Sequence, residues 1–418
     1  MRAMRDSGHE WIGQIPIAWG LTQAGQCLYQ VKNKNAGMIE SNLLSLSYGK
    51  VKRRDIDARS GLLPESFEGY NIVEDGDIVL RFTDLQNDHR SLRTGLVTER
   101  GIITSAYTTV RPINYEMARY LHYALHAFDV RKGFYGMGSG VRQGLKWQEA
   151  KYIVLPLPDT ESQVRIANYL DGKIAEIDNA IAAAEASVEE YAAYLDDITY
   201  RTVMGYISSD LERVDTGVEW LGTIPANWSL IPFRRLYREV SIDNHESEEL
   251  LSVYLNRGVI RYSDSDGNQV HKPSESLAKY QLVVPGNLVL NNQQAWRGSV
   301  GVSAFRGIVS PAYHVYEQIG SELDNDYANL LFRGPWVPCF TVCSTGVGSI
   351  QRNVSKGQLK SELVPVPPID EQHEIVNRIT VLQQEIGSIV AYKQSIIEDL
   401  QSYKQSLVYE VVTGKREV

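Results

Sequence analysis

Two polar stretches, "RFTDLQNDHRSLR" (81–93) and "NNQQAWRGS" (291–299), concentrate side chains whose paired donors and acceptors match nucleobase edges. Arg matches guanine, and Asn or Gln matches adenine. The first stretch supplies Arg81, Gln86, Asn87, Arg90 and Arg93; the second supplies Asn291, Asn292, Gln293, Gln294, Trp296 and Arg297. A basic cluster, "GKVKRRD" (49–55), brings together Lys50, Lys52, Arg53 and Arg54 in a pattern suited to phosphate contacts. Two Gly-rich turns, "GSGVRQ" (138–143) and "GSIQRN" (348–353), carry Arg142, Gln143, Gln351, Arg352 and Asn353 on a backbone whose amides can approach a phosphate closely. For every one of these residues an ordinary solvated loop or a plain Gly turn is the competing reading.

Reaction chemistry is missing from the same survey. There is no G-x-x-x-x-G-K-[ST] loop, "GSGVRQGLK" fails its spacing, and the Pro-Pro step of "VPPID" lies outside an Asn-Pro-Pro-aromatic signature. His122 and His126 are four apart but lack a flanking Glu, so they read as helix residues and no metal site is expected. Cys27, Cys339 and Cys343 are too few for a disulfide framework and read as buried, inert thiols. The opening residues lack a secretion signal and no apolar run approaches a bilayer span, so a cytoplasmic protein without membrane contact is expected.

The loops need a scaffold, and the chain writes its scaffold twice. "HEWIGQIPIAWG" (9–20) returns as "VEWLGTIPANWS" (218–229), with Trp11 and Trp220, Pro16 and Pro225, and Trp19 and Trp228 each 209 apart. Gln163 and Gln372, and Gly205 and Gly414, keep the same 209. Between these anchors "DGDIVL" (75–80) answers "PGNLVL" (285–290), and "GIITSAY" (101–107) answers "GIVSPAY" (307–313), at offsets of 210 and 206. Each half is α+β: short apolar runs bounded by Gly, Pro and Asp predict strands, and "MARYLHYALHAF" and "DYANLLFRG" predict helices. The doubled Trp-Pro-Trp phrase is read as an anchor fixing each globular part against the end of a helix.

Each half ends in a long heptad-patterned helix. Leu170, Ile174, Ile177, Ile181, Ala184, Val188, Tyr191, Leu195 and Ile198 alternate spacings of 4 and 3. Ile375, Ile379, Leu382, Ile386, Ile389, Lys393, Ile396, Leu400, Tyr403 and Leu407 keep the rhythm, with Lys393 the polar intruder. A 3.5-residue period held this long predicts a coiled coil, here an antiparallel pair with pseudo-two-fold symmetry. The expected domains are 1–160 and 208–368, globular, and 161–207 and 369–418, helical. The formal charge of −9 would repel nucleic acid, but 161–212 alone holds 11 acidic against 3 basic residues, which leaves the globular parts close to neutral.

The doubled "EWxGxIPxxW", the segment "GSGVRQGLKWQEAKYIVLPLPDTESQVRIANYLDGKIAEID" and its partner "GVGSIQRNVSKGQLKSELVPVPPIDEQHEIVNRI" together resemble the specificity subunit of type I restriction-modification systems. The resemblance covers essentially the whole chain. It implies two target-recognition domains separated by two long helices, each domain reading one half of a split, asymmetric site in double-stranded DNA. It also implies a subunit without catalysis or cofactor of its own. Two methylation subunits dock on the helices, restriction subunits join through the complex, and S-adenosylmethionine and ATP belong to those partners. "LPDTESQ" departs from the family's "PPxxEQ", which is expected to alter helix capping locally. The other classes considered are a standalone methyltransferase or nuclease with fused recognition domains and a coiled-coil protein-protein adapter.

Overall fold

In the first half, strands Leu28–Val31, Thr108–Pro112, Ile78–Leu80 and Thr94–Leu96 lie side by side in that order as an antiparallel sheet. The second half repeats it with Tyr237–Val240, Tyr313–Gln318, Leu288–Asn291 and Val300–Val302. Register is conserved along with order: Val79 pairs with Thr109 and Gly95, and Val289 pairs with Val315 and Gly301. The structure is a computed structural model and describes all residues except 1, 57–63, 65, 86–91, 138–143, 208–210, 266–272, 275 and 347–351. The chain divides into two units, residues 1–186 with 393–418 and residues 187–392.

Within each unit a smaller set of strands carries the surface loops. In the first, Asn71–Val73 pairs with Gly101–Ile103, and the hairpin Leu44–Ser47/Lys50–Arg53 joins through a parallel bridge from Leu43 to Ile102. In the second, Gln281–Val283 pairs with Gly307–Val309, and the hairpin Leu251–Tyr254/Gly258–Arg261 joins through a parallel bridge from Leu250 to Ile308. The helices read from apolar periodicity appear as Ala118–Val130 and Asn325–Arg333, with Leu121, Ala124 and Leu125, or Ala328 and Leu331, buried in the core of their own unit. Trp336 is the largest fully buried side chain; it stacks on Phe233 at 5.8 Å and donates its indole N–H to the carbonyl of Leu363 at 3.1 Å.

The heptad segments form two continuous helices, Thr160–Val203 and Ile369–Val412. Each unit contains part of both, running antiparallel. In the first unit Arg165 reaches the carbonyl of Val418 and Asp178 meets Lys404, so moving along one helix toward its C-terminus moves back along the other. Leu170 and Ile177 are buried with Leu407, and Ile174, Ile181 and Leu400 pack half-buried on the same core. In the second unit Ile375 and Ile379 share a core with Val203, and Ile386 is buried. Val188, Leu195 and Ile396 are half-buried on otherwise largely exposed stretches of helix, as a seam requires.

Two seam positions depart from the reading. Ile389 is 37% exposed and Tyr403 is 46% exposed, while Val390 and Lys404 take the inward places. A straight helix turns by 3.6 residues and drifts ahead of a 3.5-residue pattern, so one step of the repeat slips by a residue. Lys404 is tolerated there because its ammonium meets Asp178 at 2.5 Å.

Both helices stop as the glycines foretold. Gly205 and Gly414 have φ of +66° and +69°, and the amides beyond them return to Arg201 and Glu410, closing Schellman turns. Gly205 lies against Pro225 and Trp228, and Gly414 against Pro16 and Trp19. The doubled phrase is therefore a clamp on a helix end within each unit. A side chain at either glycine would collide with the proline ring.

The helix starts differ as their sequences do. Asp159 caps the first helix, accepting from the Ser162 amide at 2.9 Å and its hydroxyl at 2.8 Å. The second begins after Pro367 and Pro368, where no side chain offers that cap, and Gln372 is bonded instead to Pro367, Glu322 and Asp324.

Helix Ala118–Val130 also encloses titratable groups. Burial pushes His122 down to about 4 and His126 to about 3, the latter helped by His122 and Lys404, whereas burial pushes Asp129 up to about 6. The imidazoles stay neutral in the folded state, so their contribution to stability is present above pH 6.5 and is lost as pH falls. Asp129 acts in the opposite sense, its contribution being present at low pH and lost as pH rises through about 6. The two histidines outweigh it, and the first unit is expected to be about 2 kcal/mol less stable at pH 5 than at pH 7. Denaturant midpoints at the two pH values check this, and the double variant His122→Leu/His126→Leu should reverse the trend.

Candidate nucleic-acid interface

The second unit gathers two sequence-distant groups of candidates into one surface. Strand Leu288–Asn291 ends in a turn, Ala295–Arg297, and helix Val337–Val342 packs on that turn through a bond from the Thr341 hydroxyl to the Trp296 carbonyl at 3.1 Å. The chain then returns through Asn353–Val354, where the Val354 amide donates to Asn292 Oδ1 at 2.9 Å and Asn292 Nδ2 donates to Asn353 Oδ1 at 3.3 Å. The Arg352 guanidinium lies 5.1 Å and that of Arg297 5.8 Å from the Trp296 ring. Two cations beside one indole, with amide side chains adjoining, offer phosphate attraction and a flat stacking face together. Asn292 lies beside this surface but is engaged internally, fastening residues 353 and 354. Gln293 is exposed, Asn291 and Gln294 are half-buried, and Asn353 is exposed. Gln351 lies outside the described residues.

In the first unit a backbone bond makes the corresponding closure. The Leu145 amide donates to the Phe82 carbonyl at 3.0 Å, at positions matching Val354 and Asn292. Gln86, Asn87, Arg90, Arg142 and Gln143 lie outside the described residues. Arg81 is half-buried at the end of strand Ile78–Leu80.

Arg93 is a correction. It is fully buried: its guanidinium donates to the carbonyls of Arg81, Thr83 and Asp84 at 3.3, 2.8 and 3.2 Å and to the Tyr135 hydroxyl at 3.2 Å. Its amide donates to Asp129 at 2.5 Å. Arg93 shapes the base of the loop from inside because a buried guanidinium must find acceptors for its five donors, and a run of polar residues in sequence does not reveal which one turns inward.

The basic hairpin also divides its work. Lys52 and Arg54 are exposed. Arg53 is exposed but forms a forked pair with Glu99, at 2.8 Å from Nε and 2.5 Å from Nη2. That guanidinium, through its hydrogen bonds and charge, holds the Glu99 carboxyl below its usual range. Lys50 meets Asp178 on the first long helix at 2.5 Å, and Asp178 is shared with Lys404. Sequence reasoning passed over the matching hairpin of the second unit, where Arg261 pairs with Glu249 at 3.0 Å; its basic residues are spread out, and only the strand register makes the match visible.

Cys27, Cys339 and Cys343 are free and buried, and burial raises the Cys27 thiol to about 11. Among the described residues, Cys339, Cys343 and Glu362 bring ligand atoms within 4.8 Å of one another. Among the described residues, no helix is long and apolar enough to cross a membrane.

Residues 252–396 match the type I restriction modification DNA specificity domain family. No curated protein matches the chain. Two solved structures share its fold over nearly the full length. One is a chain from a structure addressing complex assembly and conformational transition of the type I R-M system, 14% identical, with a TM-score of 0.60 and coverage of 96% of this chain and 99% of that one. The other is the HsdS subunit from Thermoanaerobacter tengcongensis, 12% identical, with a TM-score of 0.51 and coverage of 98% and 100%. The matched domain lies in the second half of the chain, and the first half repeats the strand order and register of that half.

Proposed function

We propose that each unit reads one half of a split, asymmetric DNA sequence and that the two long helices dock two methylation subunits while setting the number of unread base pairs between the halves. The observation that carries this reading is the combination of identical strand order and register in the two units with unlike side chains at matching loop positions, Arg81 against Asn291 being the clearest. One scaffold with two sets of loops is what two unlike half-sites call for. The subunit itself is non-catalytic in this reading and holds no cofactor. S-adenosylmethionine and ATP are bound by the methylation and restriction subunits, and the assembly works in the cytoplasm.

The experiment is a lobe exchange. Replacing residues 230–360 with the same segment of another specificity subunit, assembling the methylation complex and mapping methylated adenines should change one half-site and leave the other half-site and the spacer unchanged. A change in both halves, or in neither, overturns the reading.

A further inference from the structure

The second unit holds a pocket of about 550 Å³ beside its long helices and another, of about 350 Å³, that opens next to the candidate base-reading residues. The smaller one is lined by Ser252, Tyr262, Tyr280, Tyr313, Asn291 and Gln293. Its floor is aromatic, and its rim carries two amide side chains. Asn291 is the last residue of a central sheet strand and sits on rigid backbone, its amide bonded to the Ser299 carbonyl at 3.0 Å. The Asn291 carboxamide oxygen accepts from the Gln293 amide at 3.3 Å, which ties the two rim residues together.

The internal repeat separates what this pocket shares with the first unit from what it does not. The parallel bridges align Leu43 with Leu250, so Ser45 answers Ser252. The pairing of residues 72 with 102 and 282 with 308 makes Tyr70 answer Tyr280. The pairing of 80 with 108 and 290 with 314 makes Tyr107 answer Tyr313. The Ser, Tyr and Tyr of this floor thus recur at the matching positions of the first unit. The rim is not: Arg81 answers Asn291, and Thr83 answers Gln293. Arg54 answers Tyr262, and both donate their amide to the same place, the carbonyl of Leu43 or Leu250, at 2.8 Å. Constant residues at the floor positions and changed residues at the rim positions are what a reader with a fixed scaffold and a variable specificity calls for.

We propose that this pocket receives a base of the DNA target, that Asn291 and Gln293 read an adenine in the half-site of the second unit, and that Arg81 with Arg54 at the matching position reads a guanine in the other. Asn and Gln present the donor and acceptor pair that fits adenine N7 and N6, Arg presents the two donors that fit guanine N7 and O6, and the tyrosine floor supplies contact area that does not depend on the base. The inference rests on the reading of one half-site by each unit, and it adds which position does the reading.

The test uses the full chain in complex with its methylation subunits, with methylated adenines mapped genome-wide. Asn291→Arg should replace one base in the half-site read by the second unit and leave the first half-site and the spacer unchanged. Gln293→Ala removes an exposed side chain, and it should lower discrimination at that base roughly 10- to 100-fold. An unaltered motif in a Gln293→Ala complex that still methylates would overturn the pocket's role. If the lobe exchange of 230–360 still changes one half-site, the broader reading survives that failure; if the exchange too leaves the motif unaltered, both fall together. Should Asn291→Arg fail to assemble, Gln293→Ala and Arg81→Asn decide the matter, the latter being expected to alter only the first half-site.

Discussion

A heptad inserted after Tyr191 in the first long helix and after Ala391 in the second should lengthen the unread spacer of the methylated motif by about three base pairs. Each insertion adds seven residues at ~1.5 Å, or ~10.5 Å of helix, against about 3.4 Å per base pair along one strand of duplex. Seven residues are two coiled-coil turns, so the seam facing the partner helix is preserved and the half-sites keep their sequences. Asp178 pairs with Lys404, and Thr199 and Gln383 line one pocket; counting from either along antiparallel helices brings Tyr191 level with Ala391. Inserting only three residues should instead rotate the seam out of contact and abolish assembly. Methylation mapping reads both outcomes, and an unchanged spacer after the full heptad would refute the helices' role as a measure.

A large single-residue effect on stability is expected at Gln372. Its fully buried carboxamide accepts from the Asp324 amide at 2.7 Å and donates to the carbonyls of Glu322 and Pro367 at 2.9 and 2.8 Å. Gln372→Ala leaves three backbone groups without their partner, at about 1 kcal/mol each, so a loss of about 3 kcal/mol is expected. Gln163 occupies the same place in the repeat, yet it donates only to Pro158, at 2.8 Å, and its oxygen is buried without a partner. Gln163→Ala should therefore cost about 1 kcal/mol or less. Urea titration of the two variants measures the difference, and equal losses would show that the surrounding packing matters more than the hydrogen bonds.

These two glutamines also show what could be read in advance. Their 209-residue spacing revealed the repeat, because tightly packed anchors tolerate few insertions and so keep a constant offset. The heptad seams were legible for a similar reason: a two-helix contact imposes one period on a long stretch. The slip at Ile389 was not, since a single residue of drift hides inside the tolerance of that period. Loops resisted most. Arg93 and Arg54 both lie in polar, basic sequence, yet one is enclosed by carbonyls and the other is exposed, and only three-dimensional closure separates them. The tyrosine floor escaped notice because its members are scattered over sixty residues and acquire meaning only when strand pairing superimposes the two halves.

The first unit draws Leu407, Val408, Val411 and Val412 into its core, whereas the second is built from the unbroken stretch 187–392. On the ribosome this inverts the usual order, in which the part made first folds first. The leading half must wait, with an apolar groove along residues 166–177 uncovered, until the trailing helix has been made, while the middle of the chain already has all it needs. The delay ties completion of the first reader to synthesis of residues 393–418, so a product that stops near residue 392 would carry one finished reader and one left open to chaperones and proteases.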